Sequence, residues 1–474
     1  VKKIIGIFLT VVLSMSLILT GCGKVQETKD AGQKSDSGKT TAIENIVIEV
    51  ESYGSPADST RSTNLQEAAQ ELNKILEEKG DNRRVEVKTN HVSSGYDEYN
   101  RKFMLAHKSG GGADIRAISH SDIAMMAQGG YILQLDDYVN NSEWSKYVQD
   151  IYPNLWDASK WMARIYGIPQ DTEARPLYFR KDILKKLGWS DEQISALPEK
   201  IKNGEFTLED MTRLAREAVK KGAAKIGIYH RPNNGADFIT LVYDFGGRLF
   251  DENTGKLIFE RKPIKDTLNY FYQIAQVDKV IPSGMTSMEW RQIHKGWVEG
   301  EVLFWYGGTW HWGEYQKVEY HSKLGKLSEN YMFQNMGYAL VPAPSKGGKP
   351  VTLSQPYMYV INRNTKYPDL AFALIAVASQ PKYNVKHAVE SGHLVISSAA
   401  AEDTAYKQNR FLHDVQYMLN YTTVQPNHPE FGKFTSAFFK AIQAVEMGEY
   451  DPEQAVNWLE EQLKNDVKDM VFVD

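Results

Sequence analysis

Cysteine is almost missing from this chain of 474 residues; there is one, Cys22. A single thiol excludes a disulfide framework and a thiolate zinc site, both of which need several. Excess charge is missing too: 55 basic residues face 60 acidic ones, a net of −5. Nucleic-acid binders carry a basic patch that displaces phosphate counterions, so nucleic acid is excluded as a partner. Long apolar runs are absent after the first 20 residues. The sequence has no Gly-x-Ser-x-Gly elbow, no phosphate loop ending in Gly-Lys-Ser/Thr and no His-Glu-x-x-His. Gly110–Gly112 precedes a strand pattern instead of joining a strand to a helix, which reads as a plain loop. The eleven His are scattered without metal-like spacing, so neither a metal nor another cofactor is expected. With 42% hydrophobic and 24% charged residues the composition is globular, and wholesale disorder is excluded.

What is present begins with an address. Lys2 and Lys3 precede an apolar stretch from Ile4 to Leu19, followed by Thr20, Gly21 and Cys22. A basic end, an apolar stretch and small residues mark an export signal, here residues 1–21. Leu-Thr-Gly-Cys resembles the lipobox of bacterial lipoproteins, which implies lipidation of Cys22 and a body anchored on the extracytoplasmic face of the cell membrane. Residues 22–41 are polar and cannot bury a core, which reads as a flexible tether.

The body alternates strand and helix patterns. Asn45–Glu51, Arg84–Lys88 and Ala113–Ile118 read as strands, and Ser62–Gly80 and Tyr96–His107 as helices. Such alternation predicts crossover units and a mostly parallel sheet, with ligands beyond the carboxyl ends of the strands. The loops Ser52–Ser59 and Ser119–Asp122 lie there, and His120 is a possible contact, though a structural role fits it better. Thr207–Gly222, Pro368–Val377, Phe434–Met447 and Pro452–Val467 read as helices, Gly337–Val341 and Tyr357–Ile361 as strands. Arg248–Phe259 reads as a hairpin; its Asp-x-Asn-x-Gly fragment lacks the rest of a calcium loop and is read as a turn.

Two stretches stand out. Phe304–Tyr315 packs Trp305, Tyr306, Trp310, Trp312 and Tyr315 around Gly307 and Gly308. Aromatic faces stack on sugar rings while carboxylates and amides bond hydroxyls, so the stretch points to a carbohydrate site; core packing is the alternative. Tyr166–Ile183 sets Asp171, Glu173 and Arg175 between apolar stretches, where charges must be solvated, paired or turned to a ligand. A glycosidase could draw on any two of the 60 acidic residues, which keeps hydrolysis open as a rival.

In order along the chain, the lipobox, Ala113–Val139, Ile165–Leu184, Glu299–Trp312 and Met336–Pro350 resemble the family 1 extracellular solute-binding proteins that serve carbohydrate ABC transporters. The resemblance implies a two-lobed periplasmic-binding-protein-like α/β fold, each lobe a mixed, mostly parallel sheet flanked by helices, with the ligand cleft between. It implies an N-lobe of residues 42–172 and 357–397 and a C-lobe of 173–354 and 398–474. Chain crossings would fall near Asp171–Ala174, Leu353–Tyr357 and Ile396–Ala399.

By likeness to the maltose-binding members, Trp310 and Phe439 would stack on sugar rings and Glu173 would bind hydroxyls. Ser121 or Asp122 would do the same from the N-lobe. Tyr53 and Tyr357, near strand ends, are further candidates, and Trp290 and Trp312 would extend the site to an oligosaccharide. Lys440 and Arg180 depart from those members, so a saccharide other than maltose is expected. The implied partners are that carbohydrate and the permease subunits of an ABC importer. The implied role is delivery of cargo without catalysis by a monomer. A sugar- or peptide-sensing lipoprotein uncoupled from transport is the second reading.

Overall fold

The computed structural model describes residues 42–93, 95–251 and 254–474. The expected signal, the tether and Cys22 lie outside them. Among the described residues no helix is long and apolar enough to cross a membrane.

In chain order, the strands of the two main sheets are β1 (Glu44–Tyr53), β2 (Arg83–Val92), β3 (Ile115–Ser119), β4 (Ile168–Pro169), β5 (Leu177–Arg180), β6 (Ile226–Tyr229), β7 (Val302–Tyr306), β8 (Met336–Ala339) and β9 (Tyr357–Ile361). The N-lobe sheet has the order β2-β1-β3-β9-β4, the C-lobe sheet β8-β5-β7-β6. The expected strands and helices are present, most with ends within a few residues. Thr207–Gly222, for instance, becomes the helix Leu208–Lys220, capped by the Thr207 side chain on the Asp210 N–H. The hairpin around Gly255 pairs Asp251 with Lys256; Asn253, of the calcium-like fragment, lies outside the described residues.

The sheets are mixed. β1 runs parallel to β2 and β3, and β7 parallel to β6, while β9 and β5 are antiparallel to both their neighbours. The reason is the chain path. β4 and β8 run toward the cleft, the chain passes to the other sheet, and β5 and β9 enter there and run away from it. Each sheet therefore presents strand ends and strand starts at one edge. Tyr53 ends β1, Ser119 ends β3 and faces Tyr357 at the start of β9, and Tyr306 ends β7 opposite Leu177 at the start of β5.

Both sheets bury apolar side chains. The N-lobe core gathers Ile46, Ile48 and Val50 of β1 with Leu65 and Leu72 of the helix Thr60–Glu78 and the helix Pro368–Ala378, buried from Leu370 onward. The C-lobe core is built on β5 and β7 with Trp297, Tyr315 and Phe438. Helix Pro381–Ser391 serves both: Tyr383 packs in the first, Val385 and Ala388 in the second.

The passages between sheets are bonded to one another. Thr172 and Leu394 exchange backbone hydrogen bonds, at 3.2 and 2.7 Å. Strand Thr352–Ser354 pairs with Thr422–Val424, and Thr352 Oγ1 donates to the Arg175 carbonyl while accepting from its N–H. Asn384 Nδ2 donates to the Gln170 carbonyl and its Oδ1 accepts from the Ile396 N–H.

Trp305 is fully buried in the C-lobe core. Trp305→Ala should therefore lower unfolding free energy by about 3–5 kcal/mol, the usual cost of deleting a buried large aromatic, as read by urea denaturation.

Candidate functional site

The glycine pair after β7 has a steric cause. A Cβ on Gly307 would lie 2.4 Å from His311 Nδ1, and one on Gly308 would lie 2.0 Å from the Trp310 ring. The bare backbone thus seats both rings, and the Gly308 N–H donates to His311 Nδ1 at 3.0 Å. Burial holds the His311 pKa well below the ordinary value, so its ring is neutral and Nδ1 is free to accept. The result is a row of rings. Trp290 lies 5.8 Å from His311, His311 5.1 Å from Trp310, and Trp310 is stacked on His393 at 5.7 Å. Trp310 and Trp290 are half-buried.

Two expected contributors lie elsewhere. Trp312 packs face to face on Phe411 at 4.7 Å, with only 5% of its surface exposed. Trp305 meets Trp297 and Tyr315 inside the lobe. The expectation that Trp312 extends the site is therefore corrected: it turns back into the core. Of the run's three tryptophans, Trp305 touches the row from the core, 4.7 Å from His311, and Trp310 alone is part-exposed within it. Phe439 is half-buried against Phe238 at 5.5 Å, beside the helix that carries Asp237.

Charged groups converge next to the rings. Arg175 lies over the Trp310 ring at 5.1 Å. It bonds Glu173 at 2.5 Å and Asp237, and reaches Gln355 Oε1 at 3.3 Å. Gln355 Nε2 donates to Ser119 Oγ, itself 2.9 Å from Ser121 Oγ. A hydrogen-bonded chain thus runs from the end of β3 through the second passage to the C-lobe. Of the three possibilities for these charges, Arg175 and Glu173 are paired, in a buried site.

On the N-lobe side the organiser is Arg61, 2% exposed in the first turn of its helix. It bonds Asp171 through Nε (2.8 Å) and Nη2 (2.7 Å), donates to the Tyr53 carbonyl, and stacks on Tyr357 at 3.7 Å. Tyr53 in turn lies 4.9 Å from Tyr96, whose hydroxyl donates to Asp122 Oδ2. Asn100 donates to that oxygen as well. Asp122 is thus already engaged by its own lobe. His120 is wholly buried, with Nε2 on the Gln425 carbonyl at 3.3 Å, and burial lowers its pKa to about 4.

Asp58, His387 and His393 cluster closely enough to hold a metal ion. The guanidinium of Arg61 already occupies that neighbourhood, 3.4 Å from Asp58 Oδ1 and 3.5 Å from His393 Nε2. A resident cation disfavours a second one there.

Sequence reasoning singled out Glu173, Arg175, Trp310 and Trp290 but missed Arg61, Asp58, Gln355, Asp237, His387 and His393. One signal was available: a cation in the first turn of a helix opposes the helix dipole, so Arg61 needed a special partner. The two His had none, since their carboxylate partners stand more than 200 residues away.

The charges are not equally matched. Burial would push the Asp171 carboxyl up, but Arg61 outweighs it and holds Asp171 well below the carboxylate range. Burial raises Glu173 to about 7; Arg175 opposes the rise, and Asp171 and Asp237 add to it.

Two mixed sheets joined by mutually bonded passages, with rings and charged groups gathered where they meet, define a two-lobed solute-binding protein. Residues 57–385 match the family described as bacterial extracellular solute-binding protein, and the chain belongs to that family. The maltodextrin-binding protein MdxE of Bacillus subtilis is 22% identical over 365 residues, covering 75% of this chain and 79% of that one. Among solved structures, the GacH receptor of Streptomyces glaucescens, reported unliganded and with acarbose, superposes with a TM-score of 0.70 at 17% identity, over 90% of this chain and 100% of that one. The sugar-binding protein MalE of Xanthomonas citri gives 0.69 at 18% identity, over 89% and 97%.

A carboxyl raised by folding binds more protons in the native state, so it adds stability at low pH that is lost as pH rises through its native value. Glu173 should make the wild type lose stability between about pH 4.5 and pH 7. Glu173→Gln should flatten that decline, as read by denaturant melts across the range.

Proposed function

We propose that this protein captures a saccharide, an oligosaccharide in keeping with the length of the ring row, between its lobes and delivers it to the permease subunits of an ABC importer. Its body, a monomer of an N-lobe (42–172, 357–397) and a C-lobe (173–354, 398–474), is held at the membrane by a lipid on Cys22. The observation that carries the reading is the ring row Trp290–His311–Trp310 lying beside Glu173, Arg175 and Asp237. Rings serve the apolar faces of a sugar, and fixed charges serve its hydroxyls. The relatives point the same way: two of those named above are described as maltodextrin- and sugar-binding.

Trp310, Trp290 and Glu173 would contact the sugar from the C-lobe, Ser121, Tyr53 and Tyr357 from the N-lobe, with Phe439 and Asp122 at the margins. Binding across both walls would favour the closed arrangement, because the sugar gains contacts only when the lobes meet. No bond is broken. Hydrolysis needs two carboxyls set apart across a glycosidic bond, whereas Glu173 and Asp237 share one guanidinium.

A thermal-shift screen of the whole chain against mono- and oligosaccharides tests this. A true ligand should add about 2.7 kcal/mol of stability at one hundred times its dissociation constant. Trp310→Ala should weaken that ligand by about 1–3 kcal/mol, and Gly308→Ala, which displaces the same ring, should weaken it without a further loss when the two are combined. No shift with any saccharide would sink the assignment.

A further inference from the structure

Three buried guanidiniums around the site and in the C-lobe have carboxylates of their own. Arg61 grips Asp171 with two nitrogens, at 2.8 and 2.7 Å. Arg180 grips Asp182 likewise, at 2.7 and 2.9 Å. Arg175 holds both Glu173 and Asp237. Arg231 differs. The nearest carboxylate to it is Asp237 at 3.5 Å, already bonded by Arg175. Its other bonds go to neutral oxygens of Asn233, the carbonyl at 2.8 Å and Oδ1 at 3.2 Å. Yet its side chain is only 17% exposed. A guanidinium withdrawn from water, whose one carboxylate is distant and held closely by another arginine, keeps bonding capacity for a further anion.

The position is also a constructed one. Gly235 makes the seat: a Cβ there would fall 1.9 Å from Arg231 Cζ. The guanidinium lies over the Trp290 ring at 5.9 Å, at the far end of the row that begins with Trp310.

We infer that the saccharide taken by this cleft is acidic, and that Arg231 binds its carboxylate at the Trp290 end of the site. The inference rests on the saccharide reading above and adds the chemical class of the sugar. The flat fork of a guanidinium matches a carboxylate with two parallel bonds, and Trp290 lies where the sugar ring bearing that carboxylate would rest. Electrostatics agree. Burial draws Arg231 below the ordinary arginine range, while Asp171 and Asp237 hold Arg61 and Arg175 above it.

The test is calorimetric titration of the whole chain with short oligomers of galacturonate, glucuronate and mannuronate. Each is used as the free acid and as the methyl ester, which keeps the shape and removes the charge, beside maltotriose and xylotriose. The expected result is one acid bound at least about tenfold more tightly than its ester. That preference should vanish in Arg231→Gln and survive in part in Arg231→Lys, which keeps the charge but not the fork. Added salt should weaken the acid and leave the ester unchanged. Equal affinity for acid and ester, or binding of neutral sugars alone, would overturn the acidic ligand and leave saccharide capture standing. An acid preference unchanged in Arg231→Gln would overturn the role of Arg231. Silence from every saccharide would overturn both readings.

Discussion

The grip of Arg61 on Asp171 is the interaction on which the rest of the site depends. Both groups are almost wholly buried, at 2% and 0% exposure, and neither could remain charged there alone. Asp171 stands on the first passage between the sheets, Arg61 on the first helix of the N-lobe. Their bond therefore fixes the entry of the chain into the C-lobe against the end of β1. Tyr53, whose carbonyl takes one guanidinium bond, and Tyr357, whose ring carries the guanidinium, are placed by the same group. His387 adds a further anchor on Asp171 at 2.9 Å and is itself tied to Thr60, one residue from Arg61. Two residues beyond Asp171, Glu173 begins the second set of charges, so the order of the first pair sets the position of the second.

The second set works on a different principle. In the first, two guanidinium nitrogens close on one carboxylate oxygen and settle the charges; in the second, Arg175 divides itself between two carboxyls and Asp237 is shared by two guanidiniums. One member of such a group is easily left partly uncompensated. Glu173, with a pKa near 7, carries that imbalance as a proton, and Arg231 carries it as a single long contact to the shared Asp237. A pocket that completed all its own charges would have little to offer a polar guest.

Much of the fold was legible because local pattern and final environment agree. The helix Leu208–Lys220 shows its buried stripe of Leu208, Met211, Leu214, Ala215 and Ala218, and Tyr357–Ile361 is apolar because neighbours flank it on both sides. The aromatic run after Val302 was legible only in part. β7 is buried on both faces, so Phe304, Trp305 and Tyr306 carry no alternation that would separate a ligand wall from a core. The fate of Trp312 depends on Phe411, about a hundred residues on. The same limit hid most of the charge network: Arg61 meets Asp171 across 110 residues and His393 across 332. Glu173 and Arg175 were visible because they lie two residues apart.

The threefold passage between sheets also governs how the molecule can be made. β9 sits between β3 and β4 in the N-lobe sheet, yet it follows the entire stretch that builds the C-lobe sheet. Until residue 361 has left the ribosome or the export channel, β3 and β4 expose unpaired edges across an open slot, and closing it requires a loop of nearly two hundred residues. Loops of that length cost more entropy than local turns, and sheets of high contact order assemble slowly. The first lobe to begin therefore cannot close its sheet until the strands of the second have been made, and the nascent chain carries open strand edges that invite aggregation.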